Sequence, residues 1–310
     1  MAIISENPKL KYPYGPLLVY FRGNVYFCMI WNSPMKKLIA WFLRSVLHYR
    51  SAVVMVNLSR SFPHKSYEEI RQIHDRFYLH LASVFTQMLW FGTCRGARGR
   101  KKLRRSHIVE FTNPEEFNRL YNGAPQLMLL QAHTGNWELV GGITNYSYGE
   151  PLAAPASLFA VTYLGLHNAW ANRFMARNRT AAVADQGFRG YVETSQVLRF
   201  ALENRNQKFV YSFITDQSPY LPSDTHVTFM HQDTVTMTGA AKLAVKLDMA
   251  VAYLRFEERE DGGYYMSVVP LCEHAKGEDP LEIMKKYYQL LEEDLEKQPW
   301  NYLWTHRRWK

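Results

Sequence analysis

Cysteine is scarce. The 310 residues hold three, Cys28, Cys94 and Cys272, far apart and without a C-x-x-C pair. This excludes a disulfide-stapled scaffold and a cysteine-ligated zinc site, and it suits a reducing compartment. The remaining histidines show no zinc-site spacing, so no metal is expected. G-x-G-x-x-G, a P-loop and G-x-S-x-G are also missing. Nothing therefore points to a bound nucleotide or to a serine nucleophile that forms an acyl-enzyme. No run reaches the roughly 18–20 apolar residues that span a bilayer. The richest stretch, residues 17–47, is broken by Arg22, Asn24, Lys36, Lys37 and Arg44. Its alternation of apolar and basic residues is not the order of a signal peptide. There is no internal repeat and no low-complexity linker. Acidic residues are outnumbered, 28 Asp+Glu against 37 Lys+Arg, giving a formal charge of +9.

What is abundant is aromatic. Phe, Trp and Tyr make up 15% of a chain that is 47% hydrophobic, which excludes intrinsic disorder. A basic, aromatic-rich chain suits an anionic surface with an apolar side, a membrane or a nucleic acid. No nucleic-acid recognition module is visible, so the membrane is preferred. Residues 25–31 and 38–43 carry apolar stretches with basic flanks and Trp or Phe anchors, the composition of elements that lie in the headgroup region. Arg95–Arg105 holds seven basic residues in eleven and reads as a basic loop at an anionic surface. The tail, residues 300–310, mixes Trp, Tyr and Arg and suits a membrane interface with phosphate groups, or a packed terminal strand.

Helix and strand signals alternate after residue 60. Ser66 and Glu69 form a capping box ahead of an apolar set at helical spacing that includes Ile70, Phe77 and Met88. Asn113-Pro114 and Asp279-Pro280 open further helices. Short apolar runs at 108–111, 126–132, 157–163, 208–215, 226–230, 249–256 and 264–270 read as strands. Helices are expected near 168–177, 192–203 and 238–247, and His231-Gln232-Asp233 as a turn. The alternation predicts a single α/β domain, residues 64–310, with a central mixed sheet flanked by helices. Residues 1–63 are expected to form an N-terminal, membrane-interface helical segment.

One constellation carries chemistry. The apolar run Leu129-Leu130 leads through Gln131-Ala132 to His133, then Thr134-Gly135-Asn136-Trp137-Glu138. A strand ends at a histidine, a glycine turn follows, and Asn136 suits a helix cap with Glu138 in the first turn. On one helix the five-residue spacing separates the two side chains by about 140°. With a turn between them they can converge. The carboxylate would then fix the imidazole tautomer and leave the other nitrogen to take a proton from a hydroxyl.

This segment resembles the H-x4-D/E motif of the late lipid A biosynthesis acyltransferases of Gram-negative bacteria. Four other segments match in order: Tyr49-Arg50 with Asn57-Leu58 and Ser61-Phe62-Pro63, Asp216-Gln217-Ser218-Pro219, Phe229-Met230 with Thr238-Gly239, and Trp304-Thr305-His306-Arg307-Arg308-Trp309-Lys310. The H-T-G-N-W-E form resembles that of the Bacteroidetes branch. The resemblance covers nearly the whole chain and implies a glycerolipid-acyltransferase-like fold. It implies transfer of a fatty acyl group from acyl carrier protein, or from coenzyme A, to a hydroxyl of a lipid A precursor. No further cofactor is implied. The enzyme would sit peripherally on the cytoplasmic face of the inner membrane. By the same resemblance His133 is the general base and Glu138 its partner, with Arg177, or Arg179 in its place, Asp216, Gln217 and Asn136 binding substrate. Leu164 stands where many relatives carry a cation. An aminolipid or lysophospholipid acceptor, and a non-catalytic lipid-binding role, are the alternative readings.

Overall fold

The computed structural model describes residues 34–165, 167–219 and 224–309. Residues 25–31 and Cys28 lie outside them. The described chain begins with α1 (Pro34–Trp41), continued by a π-helical turn (Phe42–Val46), then α2 (Ser51–Ser61) and the long α3 (Tyr67–Phe91). Ser66 accepts from the Glu69 amide, and the Glu69 carboxylate accepts from the Ser66 amide, so the expected capping box opens α3.

Five neighbouring strands of a seven-stranded sheet run parallel to one another. They are β2 (Leu127–Gln131), β3 (Phe159–Tyr163), β4 (Gly190–Glu193), β5 (Val210–Ile214) and β8 (Ala250–Glu258). The sheet order is β1-β9-β8-β2-β5-β3-β4, where β1 is Val109–Phe111 and β9 is Tyr264–Cys272. Only β8–β9 pairs antiparallel, which makes the sheet mixed as expected. Every residue of β2 is buried. Met128 and Leu130 enter one core with α2, α3, α8 (Gly239–Leu247) and α9 (Pro280–Lys297). Leu127 and Leu129 point the other way, into a second core with α4 (Gly96–Ser106), α5 (Pro114–Gly123) and the 3₁₀ segment Trp137–Asn145. Burial on both faces is why this strand reads as a continuous apolar run rather than an alternating one. Each buried Leu contributes about 1.5–3 kcal/mol relative to exposure. Val54, Leu58 and Phe62 from the N-terminal segment share the first core with the strands.

Several local expectations differ from what is found. Arg95–Arg105 is not a loop: Gly96–Ser106 is the helix α4, anchored by buried Leu103. Gly99 lies against the Cys94 backbone, where an added Cβ would be 2.2 Å from a carbonyl carbon. Three of its cations have partners within the chain. Arg100 pairs with Asp185, Lys102 donates to Thr93, and Arg104 donates to the carbonyls of Asn145 and Ser147. The helix expected at 192–203 is split into the edge strand β4 and a short α7 (Val197–Glu203). The His231 turn starts one residue earlier. Met230 and His231 take positive φ, and Gln232–Val235 (β7) returns against β6 (His226–Phe229).

Candidate active site

Two parallel central strands fix the site. β2 and β5 pair in a register that sets Gln131 against Ile214, and the Thr215 amide continues the ladder to the Gln131 carbonyl at 3.0 Å. Two residues further on along each strand stand His133 and Asp216. The register alone therefore faces them, at the carboxyl ends of the strands where α/β sheets place their ligands. His133 Nδ1 lies 2.8 and 3.1 Å from the two Asp216 oxygens. Asp216 is buried, while the His133 side chain keeps 15% of its surface. Burial pushes the Asp216 carboxyl up, but His133 and the surrounding hydrogen bonds, the Tyr302 hydroxyl among them, hold it below its ordinary value. An ionised carboxylate only accepts, so Nδ1 carries the proton and Nε2 is the free, basic nitrogen. The Gln217 amide nitrogen stands 3.4 Å from Nε2. The Trp137 ring meets His133 edge-on at 5.1 Å.

Glu138 is not the carboxylate at His133. After Gly135, whose φ is +57°, the chain tightens into the 3₁₀ segment and turns Glu138 toward the end of α6 (Ala169–Arg179). There both oxygens take hydrogen bonds from Arg179 Nε and Nη2, each at 2.7 Å. Trp137 Nε1 adds a third at 3.1 Å. Burial disfavours the Arg179 charge, but the Glu138 hydrogen bonds and charge more than offset it and raise its pKa above the ordinary arginine value. Gly141 lets the Arg179 carbonyl approach, since a Cβ there would lie 1.9 Å from that oxygen.

The other expected residues divide. Arg179, not Arg177, is the arginine that pairs with Glu138. Arg177 offers only its carbonyl, to Arg95, and its side chain lines a cavity on α6. Asn136 is buried and caps nothing: its amide donates to Gln87 Oε1 at 2.8 Å and to the Val84 carbonyl. Asp216 and Gln217 are at His133. The 3₁₀ form explains Asn136, because the segment's first amides are not presented as an α-helix would present them.

The terminal motif is a buttress. Trp304 is fully buried and Arg308 nearly so. Arg308 donates to the Val235 carbonyl, the Tyr288 hydroxyl and Ser218 Oγ, and Ser218 donates to the Arg308 carbonyl. It thus holds the strand-end loop that carries Asp216, and neither Trp304 nor Arg308 is available to a membrane surface. The Leu303 amide donates to the His133 carbonyl, and the Gly135 amide to Asn301 Oδ1. The N-terminal motif clasps this tail in turn. Asn57 donates to the carbonyls of Trp304 and His306, and Arg50 to that of Thr305. Sequence reasoning missed Arg308, Asn57 and Tyr302 as parts of one construction. The only signal for Arg308 and Asn57 was membership of separate motifs, and Tyr302 lay in none of them.

One group among the described residues has metal-ligand proximity. His64, His231 and Glu296 offer ligand atoms within 4.8 Å of one another, all exposed, from three separate elements.

A profile of bacterial lipid A biosynthesis acyltransferases matches residues 25–310. The chain belongs to that family. No curated protein sequence matches it significantly. Family membership makes the protein an acyltransferase of lipid A biosynthesis. No helix among the described residues is long and apolar enough to cross a membrane.

Proposed function

We propose that this acyltransferase moves a fatty acyl chain from the thioester of acyl carrier protein to a hydroxyl of a lipid A precursor, with His133 as general base. The observation that carries the reading is the His133–Asp216 hydrogen bond at the ends of paired central strands. The acceptor hydroxyl gives its proton to His133 Nε2 as its oxygen attacks the thioester carbonyl. The tetrahedral oxyanion collapses, the C–S bond breaks, and the departing thiolate takes the proton from Nε2. Asp216 orients the imidazole and stabilises the imidazolium that forms. The Gln217 amide, beside Nε2, turns to the incoming oxygen and donates to it. Glu138 acts at one remove: it locks Arg179 and, through Trp137, the ring against which His133 packs. Glu138 and Asp216 are positioning residues.

The enzyme works peripherally on the cytoplasmic face of the inner membrane. Met35, Leu38, Trp41 and Phe42 are exposed on α1 and its π turn, beside exposed Lys37. That pairing suits anionic headgroups over an apolar layer. The deciding test follows acyl transfer by mass spectrometry from acyl carrier protein to purified lipid A precursor, wild type against His133→Ala. Product formed by wild type and lost in the mutant, with an unchanged melting temperature, is the expected result. Equal product from the mutant would remove His133 from the mechanism.

A further inference from the structure

Three donor side chains that lie far apart in sequence meet at the surface. His64 follows α2, His231 sits in the turn between β6 and β7, and Glu296 lies in the last turn of α9. Their ligand atoms are within 4.8 Å of one another, and His64 Nε2 is 3.9 Å from Glu296 Oε2. Spacing along the chain could not reveal this group, because each donor comes from a different element.

The backbone around the donors is held by contacts that do not use them. Buried Phe62 meets the His64 ring edge-on at 6.3 Å and the Trp304 ring at 5.9 Å. The Met230 amide donates to Glu292, one turn before Glu296 on α9. Gln232 Nε2 reaches Ser61 Oγ, at the end of α2, at 3.5 Å. The hairpin turn is thus tied to both helices. Met230 and His231 are its two loop residues, with φ of 51° and 62°. Loops of that geometry favour Asn-Gly, so local propensity does not explain a histidine there. Glu292 and Glu296 are four residues apart on α9, a spacing at which like charges repel and a cation relieves the repulsion.

Two imidazoles and one carboxylate suit Zn²⁺, whereas Mg²⁺ and Ca²⁺ take oxygen donors. Around a tetrahedral ion with bonds of about 2.0–2.1 Å, donors stand about 3.3 Å apart. All three side chains are exposed, so rotation about their own bonds can close the remaining distance.

We propose that His64, His231 and Glu296 bind one Zn²⁺, with water as the fourth ligand, and that the ion clamps α2, the β6–β7 hairpin and α9 together. These elements also grip the terminal tail. Asn57 of α2 donates to the Trp304 carbonyl, while Val235 of β7 and Tyr288 of α9 accept from Arg308. The clamp stabilises that buttress and takes no part in acyl transfer.

The test uses untagged full-length protein stripped with a chelator. It is titrated with Zn²⁺ by calorimetry and with Co²⁺ by visible absorption. One ion per chain is expected, with the intense d–d absorption of tetrahedral Co²⁺ and no displacement by excess Mg²⁺ or Ca²⁺. Zn²⁺ at about 100 times its Kd should raise the melting temperature by about 5 °C. H64Q, E296Q and H231N should each weaken Zn²⁺ binding by at least about tenfold and abolish that rise. Their metal-free melting temperatures should match that of wild type, because the side chains are exposed and Asn accepts the positive φ at 231. A variant that fails to fold leaves the other two to decide. Absence of saturable one-ion binding, unchanged affinity in the folded variants, or binding that leaves the melting temperature where it was overturns the proposal. A weak octahedral Co²⁺ spectrum marks an adventitious ion only and overturns it as well.

Discussion

Substituting Asp216 by Asn tests the strand-register argument most directly. The carboxylate is buried and accepts from His133 Nδ1 at 2.8 Å. Asn has nearly the same shape, so the cores on either side of β5 are undisturbed. It brings an N–H₂ that can donate to Nδ1 and so favour the wrong tautomer, with Nε2 protonated and unable to act as base. It also removes the negative charge that stabilises the imidazolium. In serine proteases the equivalent change lowers kcat by about 10⁴, or about 5.4 kcal/mol at 1.36 kcal/mol per decade. A comparable loss of about 10³–10⁴ in kcat is expected here, with acceptor KM nearly unchanged and the protein still folded at the assay temperature. The assay is acyl transfer at saturating acceptor with thermal unfolding run in parallel. Glu138→Gln makes the contrast. It leaves Arg179 with a neutral partner in a mostly buried site, so its first effect is on stability, about 3 kcal/mol. A D216N enzyme within tenfold of wild-type kcat, or an E138Q enzyme that loses turnover with its melting temperature intact, would refute the division of roles.

Other outcomes follow from single contacts. Gly135→Ala should destabilise by at least about 1–2 kcal/mol in chemical denaturation, because φ is +57° and the new Cβ would lie 2.1 Å from the Phe256 ring. Asn57→Ala strips the donors from the Trp304 and His306 carbonyls and should cost about 1–3 kcal/mol, read as a lower denaturation midpoint. The folded-state pKa of Asp216 lies below its unfolded value. Its stabilising contribution is therefore complete above the ordinary carboxylate range, about pH 4, and is lost as pH falls through the lower native pKa. The acid-side stability difference between wild type and D216N should shrink over that window; an unchanged difference from pH 6 to pH 2.5 would contradict it. Trp41→Ser with Phe42→Ser should weaken co-sedimentation with anionic vesicles at least several-fold while leaving the fold intact.

The chain's local pattern determines much. Two-sided apolar runs announce buried parallel strands, Ser66 and Glu69 announce a helix start, and a histidine and an aspartate each follow an apolar strand. What the linear order could not contain is strand adjacency. His133 and Asp216 become partners because β5, far along the chain, lies beside β2 in one particular register. Proximity in sequence favoured Glu138, and a 3₁₀ segment in place of an α-helical turn sent it to Arg179 instead. The basic tract became the helix α4 because Leu103 has a core to enter and Gly99 permits close contact with Cys94. The aromatic, basic tail became a buttress because Arg308 finds three acceptors that only the folded chain assembles. Sequence set which side chains are present and which local structures they favour. The long-range pairing of strands decided which of them meet, because that pairing is chosen by the burial of whole faces rather than by the residues at its ends.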